Sequence, residues 1–260
     1  MTILDRLKNI LDGFKDKLYD TFIYESNWRY LTEGLKTTLM ITFFAVIIGM
    51  LLGFVIAIIR AMHDKTGKFK ILNVIAKIYL TVIRGTPVMV QLLIIYYVIF
   101  ASVNIDKLLV GVLAFGLNSA AYVAEIVRSG IMSIDNGQFE AGKSLGLSYS
   151  KIMIYVILPQ AFKNVLPALA NEFIVLLKET SVSGYIALQD LTKGGDIIRS
   201  RTYEAFLPLI AVALIYLFMV MILTFLVSRL EKRLAKSDRH YRFKKVVRRS
   251  GDTQRNHDYH

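Results

Sequence analysis

An all-α protein held in a membrane by about five helices is what this sequence predicts. Three observations carry that expectation. Apolar residues make up 55% of the 260 residues and the mean hydropathy is +0.48. Charged residues are held to 20%. Apolar runs matching the roughly 20 residues that a helix needs to cross a bilayer recur at residues 35–59, 71–100, 108–127, 152–177 and 206–227. Helix is the expected form because a lone strand would leave its backbone unpaired in hydrocarbon. Several runs exceed the minimum, which predicts tilt or kinks.

The elements follow in order. Residues 1–30 mix Asp and Lys on an amphipathic background and lack the basic-then-apolar order of a cleavable signal, so the first span is expected to direct insertion. Residues 31–234 form the transmembrane domain. Its second apolar run is broken by Arg84, Gly85, Thr86 and Pro87. Proline removes a backbone donor and frees carbonyls, so this break either shapes helix packing or lines a pathway or gate. Gln91, one turn past Pro87, is a candidate cavity residue, whereas Tyr96 and Tyr97 read as interface anchors. In the third run Glu125 and Arg128 stand three apart on one helical face and form a structural ion pair.

Between the third and fourth runs, Asp135, Asn136, Gly137, Gly142, Gly146, Ser148 and Ser150 supply turn and cap chemistry. They predict a short helix over about 138–145, ended by Gly146 in a left-handed cap, and a second helix starting near Ser148. Such a helix along the membrane surface is a lever that another protein could grip. Along the fourth run, Asn164, Asn171 and Lys178 recur every seven residues, with Ala168 and Val175 between them. A polar stripe on a membrane helix faces a water-filled cavity or a second subunit. Glu172 is the deepest acid; if the stripe lines a route, Glu172 would attract an ammonium group and Asn171 would bond a carboxylate or amide. Lys163 can snorkel to the headgroups. Residues 235–260 form a basic tail.

The net charge is +12, and its distribution matters more than its size. Residues 229–260 carry 11 Lys/Arg against 4 acids and residues 60–77 carry 5 against 1. Residues 1–36, 178–205 and 101–107 are balanced at 6 against 6, 4 against 4 and 1 against 1. The positive-inside rule therefore predicts an outside N-terminus and a cytoplasmic C-terminus, which needs an odd number of spans. The tail reads as a topology signal and a contact for anionic lipid, not as a nucleic-acid surface. Cysteine is absent, which excludes disulfides, thiolate metal sites and a cysteine nucleophile. His63 stands alone and His240, His257 and His260 lie in the tail, so neither a metal site nor a Ser/His/Asp arrangement can be assembled. Gly137, Gly142, Lys143 and Ser144 fit the phosphate-loop pattern, but that motif needs a strand before it and a helix after it. No cofactor is expected.

Glu140, Ala141, Gly146, Leu158 and Pro159 resemble the EAA loop of permease subunits of binding-protein-dependent ABC importers, with Gly142 where the family has its second Ala. The likeness runs over about residues 31–234 and narrows to the polar amino acid uptake family. It includes Gly34-Leu35-Lys36-Thr37-Thr38-Leu39, Arg84-Gly85-Thr86-Pro87, Ala121-Tyr122-Val123-Ala124-Glu125-Ile126-Val127-Arg128, Asn171-Glu172 and Lys178-Glu179-Thr180-Ser181. Val182 departs from the Leu usual after Thr-Ser.

The resemblance implies a type I ABC importer permease with a cytoplasmic coupling helix. It implies two permease subunits, alike or different, a cytoplasmic ATPase dimer, an extracytoplasmic binding protein and an amino acid substrate. The chain itself would hydrolyse nothing. Glu140, Ala141, Gly142, Ser144, Gly146, Leu158 and Pro159 would carry the coupling loop, and Gln91, Asn171, Glu172 and Lys178 the pathway. An ion channel or ion-coupled carrier would also account for five spans and buried charges, but not for the glycine-rich loop. A permease for an opine or a small sulfur compound is a further alternative.

Overall fold

A computed structural model describes residues 3–255, with side chains at residue 5 and from 7 to 234. Every regular element among the described residues is helical. Four helical stretches are long and apolar enough to span a membrane: Trp28–Thr66, Lys107–Met132, Tyr149–Ile186 and Phe206–Leu234. The pair Lys70–Gly85 and Val88–Ile99 makes a fifth, bent by 109°. The expected count of five therefore holds when the broken run is taken as one span.

Helix α1, Ile3–Leu18, precedes the spans, and α2, Trp28–Thr66, follows it. Between them Glu25 and Ser26 both adopt left-handed backbone, at φ 54° and 58°, and turn the chain sharply. Asn27 Nδ2 donates to Thr21 O at 3.1 Å and secures that turn. The core is built where α2 crosses α5, Lys107–Met132. On α2 the fully buried face reads Ala45, Gly49, Gly53, Ala57 and Ala61, one small residue per turn. In lipid there is little hydrophobic drive between helices, so close backbone approach supplies the attraction. A Cβ on Gly53 would stand 2.6 Å from Val123 Cγ1 and 2.9 Å from Ala120 O. On the other side of the crossing, a Cβ on Gly116 would stand 2.9 Å from Ile48 Cγ2. The sequence signal for this crossing is the G-x-x-x-G of Gly49 and Gly53.

Helix α3, Lys70–Gly85, packs Ala76 and Leu80 inward and ends at the Thr86–Pro87 break, where both residues are extended. The short α4, Val88–Ile94, then leaves at the steep angle given above. Helix α6, Asn136–Ser144, and the single turn α7, Tyr149–Ile152, occupy the loop after α5. Helix α8, Leu158–Glu179, packs across α5, with Gly130 opposite Val165 and Ala161. Helix α9, Leu191–Thr202, sits beside the start of α2: a Cβ on Gly34 would meet Asp190 O at 2.5 Å. Asp190 caps α9 by accepting from the N–H groups of Thr192 and Lys193, both at 3.1 Å. Burial pushes its carboxyl above the usual range, and those donors pull it back. Helix α10, Phe206–Arg255, carries the last span, only 6% of whose most apolar window is covered. The basic segment 235–260 lies outside the described side chains.

Candidate functional site

The loop after α5 folds as a helix with one anchored side and one open side. Asp135 caps α6 by accepting from Gly137 N–H at 2.7 Å. At the other end Leu147 N–H reaches Gly142 O at 3.1 Å and Gly146 N–H reaches Lys143 O at 2.9 Å. That is a Schellman ending, and it needs the left-handed residue that Gly146 supplies at φ 73°. The helix starts two residues earlier and stops one earlier than the sequence suggested. Phe139 anchors it: its ring is buried in the core with Ile134, Ile152 and Met153, and it stacks on Tyr149 at 6.0 Å. Lys65, at the end of α2, donates to Asn136 Oδ1 at 2.5 Å and sits 4.9 Å over the Phe139 ring.

Gly142 is not merely a weak helix former. A Cβ there would meet Ile152 Cγ1 at 2.7 Å, so its missing side chain lets α6 close on α7. Glu140, Ala141, Ser144 and Gly146 are exposed on the opposite side, and Leu145 is 79% exposed. Leu145 thus stands out among small and polar residues on the open side of a fixed helix. Leu158 and Pro159 do not share it. They open α8, and Leu158 packs against the core around Ile131 and Val165. The phosphate-loop look-alike is helical from Gly137 to Ser144, so its amide groups are committed to helix and cap.

At the break, Gln91 ties the two halves of the second span. Its Nε2 donates to Ile83 O at 2.7 Å, Thr86 O at 3.0 Å and Thr86 Oγ1 at 2.8 Å, while its Oε1 accepts from Asn118 Nδ2 at 3.0 Å. The Ile83 carbonyl, which Pro87 cannot serve for want of an N–H, is therefore met by a side chain. Arg84, from the same break, reaches Glu125 Oε2 at 3.4 Å and lies 5.6 Å over the Tyr122 ring.

Glu125 turns out to be the hub of a larger charge cluster. Arg128 Nε meets its Oε1 at 2.9 Å, as the spacing predicted, and Arg60 Nη1 meets the same oxygen at 2.6 Å. Arg128 also reaches Asp64 at 3.3 Å, and His63 Nδ1 pairs with Asn73 Nδ2 at 3.0 Å. Three arginines and two acids thus join α2, α3 and α5. The sequence shows Arg60 and Asp64 only as charges of a basic loop, because nothing in it pairs residues 65 positions apart.

The fourth-span candidates separate onto two faces. Asn164, Ala168, Asn171 and Lys178 are exposed and form the expected stripe, with Val175 half-buried; Asn164 bonds Ser133 Oγ at 3.2 Å. Glu172 points the other way, buried, and accepts from Ser119 Oγ at 3.1 Å where α2, α5 and α8 meet. Asn171 and Glu172 therefore stand on different sides of α8. Lys163 is exposed. The Tyr97 hydroxyl is 3.5 Å from Tyr185 O. Among the described residues no group of three His, Cys, Asp or Glu side chains could hold a metal.

Residues 49–236 match the model of the family described as binding-protein-dependent transport system inner membrane component. The arginine transport system permease protein ArtQ of Bacillus subtilis is 41% identical over 211 residues, covering 80% of this chain and 94% of the relative. The glutamine transport system permease protein GlnP of Escherichia coli is 38% identical over 207 residues, covering 78% and 92%. A solved amino acid ABC transporter described as having histidines superposes with a TM-score of 0.73 at 45% identity, over 82% of this chain and 98% of that one. The MetNI methionine ABC transporter in an inward-facing form gives 0.67 at 19% identity, over 80% and 97%, and so shares the fold.

Proposed function

The chain belongs to the family of binding-protein-dependent transport system inner membrane components, and from that premise we propose that it forms half of the translocation pathway for a polar amino acid and couples it to a separate ATPase through α6. The relatives named for arginine, glutamine and cystine transport support an amino acid substrate. The observation that carries the coupling is the two-sidedness of α6: Phe139 and Gly142 lock its back to α5 and α7, while Glu140, Ala141, Ser144 and Leu145 stand open.

A helix gripped on its open side transmits force through its locked side. Closure of a nucleotide-loaded ATPase dimer would move α6, and with it the end of α5, through the Phe139 cluster, and α7 and α8, through Ile152. A ligand that binds one arrangement better shifts the whole equilibrium toward it, which is how ATP binding would turn the pathway from one side to the other. Hydrolysis would belong to the ATPase, and an extracytoplasmic binding protein would deliver the substrate.

The N-terminus would lie outside and the basic residues 235–260 in the cytoplasm, as the charge bias requires. The exposed stripe of Asn171 and Lys178 would face a second permease subunit or the route shared with it. Residues 84–87 would act as the flexible joint of the pathway, with Gln91 and Glu172 tuning it from inside the chain. Residues 31–234 would be the working domain.

Co-purification with candidate ATPase subunits tests this reading. The native chain should carry an active ATPase through purification, and both Glu140→Arg and Gly146→Trp should lose it while remaining folded. A folded native chain that captures no ATPase, and conducts ions in a bilayer, would move the assignment to a channel or carrier.

A further inference from the structure

Helix α1 presents an apolar side that none of the core clusters covers. Leu7, Ile10, Leu11 and Phe14 are 54%, 68%, 59% and 48% exposed. At about 3.6 residues per turn these four, with Leu18, fall within an arc of roughly 100°. The charges around that arc are sorted by sign. Lys8 and Lys15 flank one edge and Lys17 the other, whereas Asp5, Asp12 and Asp16 gather on the far side with Asn9. Lysines at both edges of an apolar face can lay their methylene stems along hydrocarbon and lift their ammonium groups to the phosphate level. The acids, which phosphate would repel, are turned to water.

Position agrees with pattern. A helix of 16 residues is only about 24 Å long, and with charges in every turn it cannot cross the hydrocarbon core. The left-handed pair Glu25 and Ser26 turns it off the axis of α2. Its C-terminal end stays near the bundle: Lys17 Nζ lies 3.9 Å from Glu204, in the connection between α9 and α10, and Arg201 Nη2 meets Glu25 at 2.5 Å. The helix thus leaves the bundle at the end of a span, where headgroups begin.

We propose that α1 is a lipid-surface helix, lying in the headgroup–acyl boundary of the phospholipid bilayer with Leu7, Ile10, Leu11 and Phe14 sunk into it and Lys8 and Lys15 on lipid phosphates. The lipid contact stands on α1 alone; the side of the membrane rests on the N-outside orientation proposed above.

The absence of cysteine makes every introduced thiol a unique label. Leu11→Cys, Phe14→Cys, Asn9→Cys and Asp16→Cys, each in the full chain assembled in phospholipid vesicles, would carry a nitroxide probed with oxygen, which concentrates in lipid, and with a water-soluble nickel chelate. Positions 11 and 14 should favour oxygen over the chelate several-fold relative to positions 9 and 16. Labels at 11 and 14 shielded from both reagents would show that protein covers the face; equal chelate access at all four would put α1 in solvent. Either result overturns the proposal. A membrane-impermeant maleimide on Asn9→Cys reads the side separately: labelling from the inside only would refute the orientation and leave the lipid contact standing.

Discussion

Replacing Gly142 by alanine puts two opposing effects at one position. Alanine is the better helix former by about 1 kcal/mol. Its methyl, however, would arrive 2.7 Å from Ile152 Cγ1 and 2.9 Å from Ile152 Cδ1. Ordinary carbon contacts sit at roughly 3.5–4.0 Å, so α6 and α7 must separate by about 1 Å. Ile152 is fully buried and cannot swing into solvent. Overpacking of this kind costs about 1–3 kcal/mol, which leaves a net loss of about 1 kcal/mol. The separation also tilts the open side carrying Glu140 and Leu145, so ATPase capture should fall more than stability does. Ile152→Ala alone empties a packed position and should cost roughly 2–4 kcal/mol. The double variant lets the new methyl occupy the vacated space and should be more stable than the sum of the single effects by about 1 kcal/mol. Thermal unfolding of the purified permease and ATPase co-purification, run on the four proteins of the cycle, read both consequences. A Gly142→Ala protein that is more stable than the parent and captures ATPase fully, with strictly additive singles, would refute the close approach of α6 to α7.

Glu125→Gln leaves Arg60, Arg84 and Arg128 facing one another across α2, α3 and α5; at 22% exposure solvent softens the repulsion, and a loss of roughly 2 kcal/mol in unfolding free energy is expected, with partial recovery in Glu125→Gln/Arg84→Gln. Gln91→Leu strips the donor from Ile83 O and Thr86 O and should lower stability by about 1–3 kcal/mol, slowing uptake of every substrate alike; a raised KM for one amino acid with stability intact would instead make Gln91 a substrate contact. Glu172→Gln should weaken transport of cationic amino acids more than neutral ones if this carboxylate senses the pathway, and equal loss for both would restrict it to holding Ser119.

What the sequence made readable was local. The spans follow from uninterrupted apolar runs, the break from Gly85 and Pro87, and the turn at the end of α6 from Gly146, because each feature is decided within a few residues. The ion pair of Glu125 with Arg128 belongs to the same class. Contacts between distant segments were not readable. Arg60 joins Glu125 because two helices cross there, and Gln91 meets Ile83 O only because the chain folds back by 109° between them. The seven-residue spacing of Asn164, Asn171 and Lys178 marked their shared face, yet it could not say that neighbouring Glu172 would be buried against Ser119. The loop motif likewise grouped Leu158 and Pro159 with Glu140, although they stand on a different helix with a different neighbourhood.

The small-residue seam along α2 has a use at the bench. Ala45, Gly49, Gly53, Ala57 and Ala61 bring two backbones so near that a single carbon added at Gly53 would stand 2.9 Å from Ala120 O. A transport cycle that keeps this seam closed finds its movement elsewhere, at the 109° joint, across α8, or along the thinly covered α10. Distances between probes on α2 and α5 should stay constant whatever nucleotide or substrate is present. That pair is the fixed frame, and displacement of every other helix can be measured from it.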